Sequence, residues 1–257
     1  MAAYEHLTVA ARGKTARITL NHPERRNALS WSMLRDLHKA LTEVAGSSAT
    51  GITLAANGPV FCTGHDFADV LDAGPDDIHD LLELCTGVMQ LIHSVPQIVV
   101  ARVHGLAVAA GCQLVATCDL AVAGESAGFA LPGGKGGWFC HTPAVPVARS
   151  VGRKRLMEMA LTGDVIDART AADWGLINRA VPDGELDSAV EELLARATRG
   201  SPASKALGKQ ALYAQLDRPE TDAYEITGEV MAVSSQSPAA REGIASFLEK
   251  RKPEWPE

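Results

Sequence analysis

The 257-residue sequence has only five cysteines, at positions 62, 85, 112, 118 and 140, and no Cys-x-x-Cys pair. An odd count without that spacing argues against a disulfide framework and against a structural zinc site. Cys62 and His65 have the spacing of half a metal pair, but no second pair lies nearby. The thiols are expected reduced and the protein cytoplasmic. A basic excess is lacking too. The 24 Lys and Arg against 31 Asp and Glu leave a formal net charge of −7, which argues against nucleic acid or a polybasic membrane contact. No apolar run reaches the ~20 residues of a membrane span, and the opening MAAYEHLTVAARG has no signal-peptide core. Three motifs are missing as well: the Gly-x-Ser-x-Gly elbow of many hydrolases, the Gly-x-Gly-x-x-Gly dinucleotide turn, and the phosphate loop. LPGGKGGW (131–138) is not that loop, because Lys135 is followed by Gly.

What is present is an alternation of periods. LTVAA and TARITL flank Arg12-Gly13-Lys14 and read as two strands joined by a turn. Leu34, Leu37, Leu41 and Val44 share one helical face behind Ser30, a good N-cap. GITLAA (51–56), IVVARV (98–103) and DLAVA (119–123) read as buried strands, with a helix over 78–94 stopped by Pro96. Such alternation predicts βαβ units. After residue 150 the strands give way to helical segments, except for GLINRAV (175–181). The reading is an α/β protein with a core over 1–195 and a helical C-terminal part over 196–257, whose amphipathic helices need a surface to cover.

Two segments point to chemistry. In CTGHDF (62–67), Gly64 permits a tight turn with positive φ, so that the amide of His65 would face a pocket. In HGLAVAAGCQL (104–114), Gly105, Ala107, Ala109, Ala110 and Gly111 leave the backbone bare where a helix begins. A helix N-terminus presents unpaired N–H groups and partial positive charge. Small residues let a carbonyl or anionic oxygen approach them, which is how half of an oxyanion hole is made.

RRNAL (25–29), FCTGHDFADV (61–70), VHGLAVAAGCQLVATCDLAVA (103–123), MALTGDVIDARTAADWGLINRAVP (159–182) and EGIASFLEKRKPEW (242–255) occur in that order. Together they resemble the crotonase superfamily, the enoyl-CoA hydratase/isomerase group, over nearly the whole chain. The resemblance implies a spiral of ββα units, a C-terminal helical part used in assembly, and homotrimers that pair into hexamers. It implies an acyl-CoA thioester as ligand, with coenzyme A part of the substrate, no separate cofactor and no metal. The amides matching the pair that grips the thioester oxygen are those of His65 and Ala110, flanked by Gly64 and Ala109. Arg25, Ala28 and Leu29 match the stretch along pantetheine and nucleotide, and Asp66 and Phe67 the adenine side. Phe247 and Lys250 match helix residues that approach a neighbouring subunit's nucleotide.

The resemblance also exposes a departure. Hydratases of the family use two glutamates to add water. The matching positions are Gln113 and Gly133. An amide cannot take a proton near neutral pH and glycine has no side chain. The chain is most similar to a hydratase-domain-containing subgroup with the same pair. Ordinary hydration is therefore doubtful. Three readings stay open: an enolate-forming lyase or isomerase of fatty acid metabolism, including decarboxylation of a malonyl-type thioester; a non-catalytic acyl-CoA binder; and a hydratase with relocated acid/base groups drawn from His65, Asp69, Cys112, Cys140 or His141.

Overall fold

The computed structural model describes residues 4–256. Strands β1 (Leu7–Arg12) and β2 (Thr15–Leu20) form an antiparallel hairpin, turned by Gly13 at φ +60. From β2 the chain runs through α1 (Trp31–Ala45) to β3 (Gly51–Ala56), then through α2 (Pro75–Ser94) to β4 (Ile98–Val103). Ser30 caps α1, its hydroxyl accepting the Met33 N–H. The buried face of α1 carries Leu34, Leu37, Leu41 and Val44, as the spacing predicts. β5 (Ala107–Val108), α3 (Ala110–Thr117) and β6 (Leu120–Gly124) follow.

Six strands form the main sheet, ordered β1-β2-β3-β4-β6-β9, where β9 is Arg179–Val181. Every pair except the first is parallel. All six residues of β3 are buried, which explains its uninterrupted apolar run. One face of the sheet packs into the main core with α1, α2 and α3. On the other face, α7 (Leu186–Thr198) sets Leu186, Val190 and Leu194 against Val100 and Val122. The expected division after residue 195 thus falls in the last turn of α7.

A second sheet of three very short strands has β5 at one edge, paired in parallel with β7 (Gly128–Ala130), which pairs in turn with β8 (Ile166–Asp167). Helix α4 (Ala144–Val151) packs on α3 and on α5 (Arg153–Thr162), and α6 (Ala168–Trp174) packs on β7 and β8. Helices α8 (Pro202–Gln215), α9 (Glu220–Ser234) and α10 (Pro238–Leu248) complete the chain. α8 is fastened to the body by Lys209, which is buried. Its ammonium meets Asp119 at 2.8 Å and donates to the carbonyls of Ile92 and Gln97.

Candidate functional site

Two loops meet beside α3. Gly64 sits at φ +90, and a Cβ there would lie 3.1 Å from the Ala110 nitrogen and 2.9 Å from the Ala109 Cβ. Only glycine allows that contact with that backbone. The loops are laced together by a bridge between Cys62 and Ala107 and by Val108 N–H donating to the Cys62 carbonyl at 3.0 Å. A side chain at Gly111 would collide with the same carbonyl, so the bare start of α3 is the condition for the loops to touch. Ala109, just before α3, is held at φ +49, ψ −121, a strained conformation for a residue with a Cβ. Its N–H donates to the Ala130 carbonyl of β7, and its carbonyl accepts from Gln113 N–H, both at 3.0 Å.

Among the described residues, neither the His65 nor the Ala110 amide donates to a backbone or side-chain acceptor. Both residues line a half-enclosed cavity of about 460 Å³. Its walls also include Phe67, Ala109, Gly133, Trp138 and Phe139, and no Asp or Glu is among them. Lys135 lines it too, with its ammonium paired to Asp164.

The remaining predicted residues lie at varying distances from this cavity. Arg25 and Asp66 form a two-pronged ion pair, 2.7 and 2.8 Å from one guanidinium nitrogen, outside the cavity wall. The Asp66 carboxyl is held below the usual carboxylate range, burial opposing the bonds from Arg25 and Ala68 N–H that prevail. Ala28 and Leu29 are buried in the loop before α1, and Leu29 N–H donates to the Gly64 carbonyl at 2.7 Å. That loop is stapled by buried Asn27, which the sequence reading did not single out. Its side chain accepts from His22 N–H and donates to the carbonyls of Asn57 and Val60. Phe247 and Lys250 are at the far end of the chain and contribute nothing to the wall.

Gln113 is buried on α3, and its Oε1 has no hydrogen-bond partner among the described residues. Gly133 belongs to the turn Pro132–Gly134, and the loop closes tightly around it. Its N–H donates to the Cys140 sulfur at 3.3 Å, and its carbonyl accepts from Trp138 N–H at 3.0 Å. A Cβ on Gly133 would collide with the Trp138 carbonyl oxygen and stand 2.8 Å from the Cys140 sulfur. Asp69 is committed elsewhere, accepting the Trp31 N–H at 2.9 Å where α1 begins. Burial pushes the Cys112 thiol up to about 12 and raises that of Cys140, so both stay protonated. Trp138, whose ring stands 6.2 Å from that of His65 and 6.4 Å from that of Phe67, was missed in the sequence. An aromatic in a glycine-rich loop was the available signal.

A main sheet carrying a short second sheet, with the cavity where the two loops meet, is the crotonase architecture. The enoyl-CoA hydratase/isomerase family model matches residues 11–257. The chain belongs to that family. It is 41% identical over 240 residues to mouse enoyl-CoA hydratase domain-containing protein 3, mitochondrial, covering 93% of this chain and 80% of that one. The structure of the human protein of that name superposes with a TM-score of 0.94 at 38% identity, covering 98% and 100% of the two chains. A Mycobacterium smegmatis enoyl-CoA hydratase structure gives a TM-score of 0.94 at 41% identity, covering 98% and 99%. The cytoplasmic expectation is corrected here. Mouse and human relatives are named as mitochondrial, which points away from the cytoplasm. Reduced thiols and acidic charge do not distinguish the two compartments. No helix among the described residues is long and apolar enough to cross a membrane.

Proposed function

We propose that this protein binds an acyl-CoA thioester and stabilises its enolate between the backbone amides of His65 and Ala110, without the two-glutamate hydration chemistry of its family. The observation that carries this reading is the pair of acceptor-free amides bordering a cavity whose wall holds no carboxylate. Donors already oriented at the cavity favour charge as it develops on the thioester oxygen. Losing one such donor costs ~3–4 kcal/mol in a protease precedent. Arg25, Ala28, Leu29, Asp66 and Phe67 would run beside the coenzyme A moiety; Arg25 would exchange part of its bond to Asp66 for a phosphate. Gln113 and Gly133, at the positions of the family's glutamates, leave water without a carboxylate to deprotonate it, and general acid–base catalysis is worth ~10²–10⁴-fold.

Crotonyl-CoA turnover measured alongside calorimetric binding of saturated acyl-CoA esters tests the proposal. The expected result is binding with hydration close to the uncatalysed rate. Hydration at rates ordinary for a hydratase would overturn it, as would the absence of binding.

A further inference from the structure

The geometry points to Asn27 as a positioning residue for the His65 amide, an assignment that rests on the acyl-CoA reading above. The peptide between Gly64 and His65 is trans, and a planar trans peptide points its carbonyl and its N–H to opposite sides. Whatever holds that carbonyl therefore decides where the His65 N–H points. The holder is the Leu29 N–H, which donates to the Gly64 carbonyl at 2.7 Å, within a parallel bridge between Leu29 and His65. The His65 N–H is thereby turned away from the segment before α1. The companion donor is aimed by the same rule. The Ala109 carbonyl accepts from Gln113 N–H along α3, so the Ala110 N–H of that peptide points back out of the helix start.

The Leu29 N–H is placed in turn by Asn27, two residues earlier. Asn27 is fully buried. Its Oδ1 accepts from His22 N–H at 2.9 Å, and its Nδ2 donates to the carbonyls of Asn57 at 2.8 Å and Val60 at 3.1 Å. One side chain thus ties the segment before α1 to the chain that leaves β3 and reaches Gly64 four residues after Val60. The backbone of Asn27 is left-handed, at φ +52, directly after Arg26 at φ +53. Asparagine is enriched in that region, and its amide both accepts and donates twice. Aspartate of the same shape would keep the bond from His22 but, when ionised, has no hydrogen for the two carbonyls.

The other ties between these segments are longer or exposed. The Thr63 hydroxyl and the His65 ring reach the carbonyls of Arg26 and Leu29 at 3.4 Å. The Arg25–Asp66 pair is exposed, and exposed pairs hold little. Without Asn27, the Leu29 N–H is free to drift from the Gly64 carbonyl, and the peptide that carries the His65 N–H is free to turn.

The test uses butyryl-CoA carrying ¹³C at its thioester carbonyl. Hydrogen bonds to that oxygen weaken the C=O bond, so infrared difference spectra read the two amides directly. Wild type is compared with Asn27→Gly, which permits the left-handed backbone and removes the side chain, and with Asn27→Asp, which removes the two donors. Spectra are taken at saturating ligand, with calorimetric binding in parallel and circular dichroism to confirm folding. In wild type the band is expected to fall in frequency on binding. In both variants it should move back toward the free position, and α-proton exchange of the ester in D₂O, read by NMR, should drop ~10²–10³-fold, the scale of one lost donor. A merely structural Asn27 would lower stability and affinity yet leave the saturated band where wild type has it, and that result overturns the assignment. Should neither variant fold, amide hydrogen exchange of wild type decides. The Leu29 amide should be protected with and without ligand, and the His65 amide only with it; a Leu29 amide that exchanges freely overturns the assignment. Wild type that does not bind, or binds without moving the band, removes the underlying reading and this assignment with it.

Discussion

Gly64 is the residue on which the convergence of the two amides depends. A methyl group there meets both a left-handed backbone and the Ala110 nitrogen, 3.1 Å away. Gly64→Ala must therefore push the His65 and Ala110 amides apart. Its expected effect is a loss of α-proton exchange of ~10²–10³-fold, the scale of one lost donor, read by NMR on protein whose circular dichroism confirms folding. At Gly133 the constraint is steric. Rebuilding a hydratase by Gly133→Glu together with Gln113→Glu is a natural experiment from the sequence, and the closed loop blocks its first half. Gly133→Ala alone is expected to cost ~1–3 kcal/mol in denaturant unfolding, as overpacking does. Gln113→Glu would place a carboxyl in a buried position whose oxygen finds no donor. Burial would raise its folded pKa above the unfolded ~4.3. The sign follows: the variant matches wild type most closely below that value and loses stability relative to it as pH rises. A flat difference in unfolding midpoint between pH 4.5 and 8 would refute this.

At the scale of elements, the long buried strands and the amphipathic helices were legible in the sequence, because their apolar periods of two and 3.6 extend over five residues or more. GITLAA became β3 residue for residue, and Ser30 capped α1 as its neighbours implied. β5, β7 and β8 were not legible: with two or three residues each they show no period, and pairing across the chain alone defines them. The site divided the same way. The small residues before Gln113 announced a bare helix start, whereas the crowding around Gly133 depends on residues 138–140 folding back. Nor did any motif mark the anchor of α8. Tyr213 on α8 stacks on His93 of α2 at 3.8 Å and donates to Asp119, the partner of Lys209. Removing one member of a buried ion pair leaves the other uncompensated. Lys209→Ala is therefore expected to cost ~3–5 kcal/mol and to make α8–α10 the first segment cut in limited proteolysis. Acid should loosen the same joint. Burial lowers the His93 pKa, with Lys209 adding to it and Asp119 and the Thr117 carbonyl opposing. A depressed histidine contributes stability that is complete above its unfolded value of ~6.5 and is lost as pH falls through the folded one. Proteolytic sensitivity of α8–α10 should thus rise below pH 6.5 and rise less in His93→Gln.

For the whole molecule, the C-terminal helices leave large apolar side chains exposed. Leu212, Leu216, Met231, Val233, Ile244, Phe247 and Leu248 all stand out from α8–α10, Phe247 with 81% of its surface exposed. Large apolar side chains left exposed on three consecutive helices suit a contact surface, and an assembly is proposed on that ground. The family resemblance proposes the partner: further copies of the same chain, closed as a trimer or as paired trimers, since closed symmetry leaves no sticky end. It also explains why Phe247 and Lys250 lie away from the cavity wall of their own chain, because their proposed target is a neighbour's nucleotide. Sedimentation should then give a mass of three or six 27.1 kDa chains. Phe247→Asp should shift the mass toward the single chain. It should also weaken binding of acyl-CoA while sparing a truncated pantetheine thioester, which has no nucleotide to lose. A wild-type protein that sediments as a single chain at micromolar concentration removes the assembly. An assembled Phe247→Ala that binds acyl-CoA as wild type does removes only the role of Phe247, and the two outcomes separate the surface from the site.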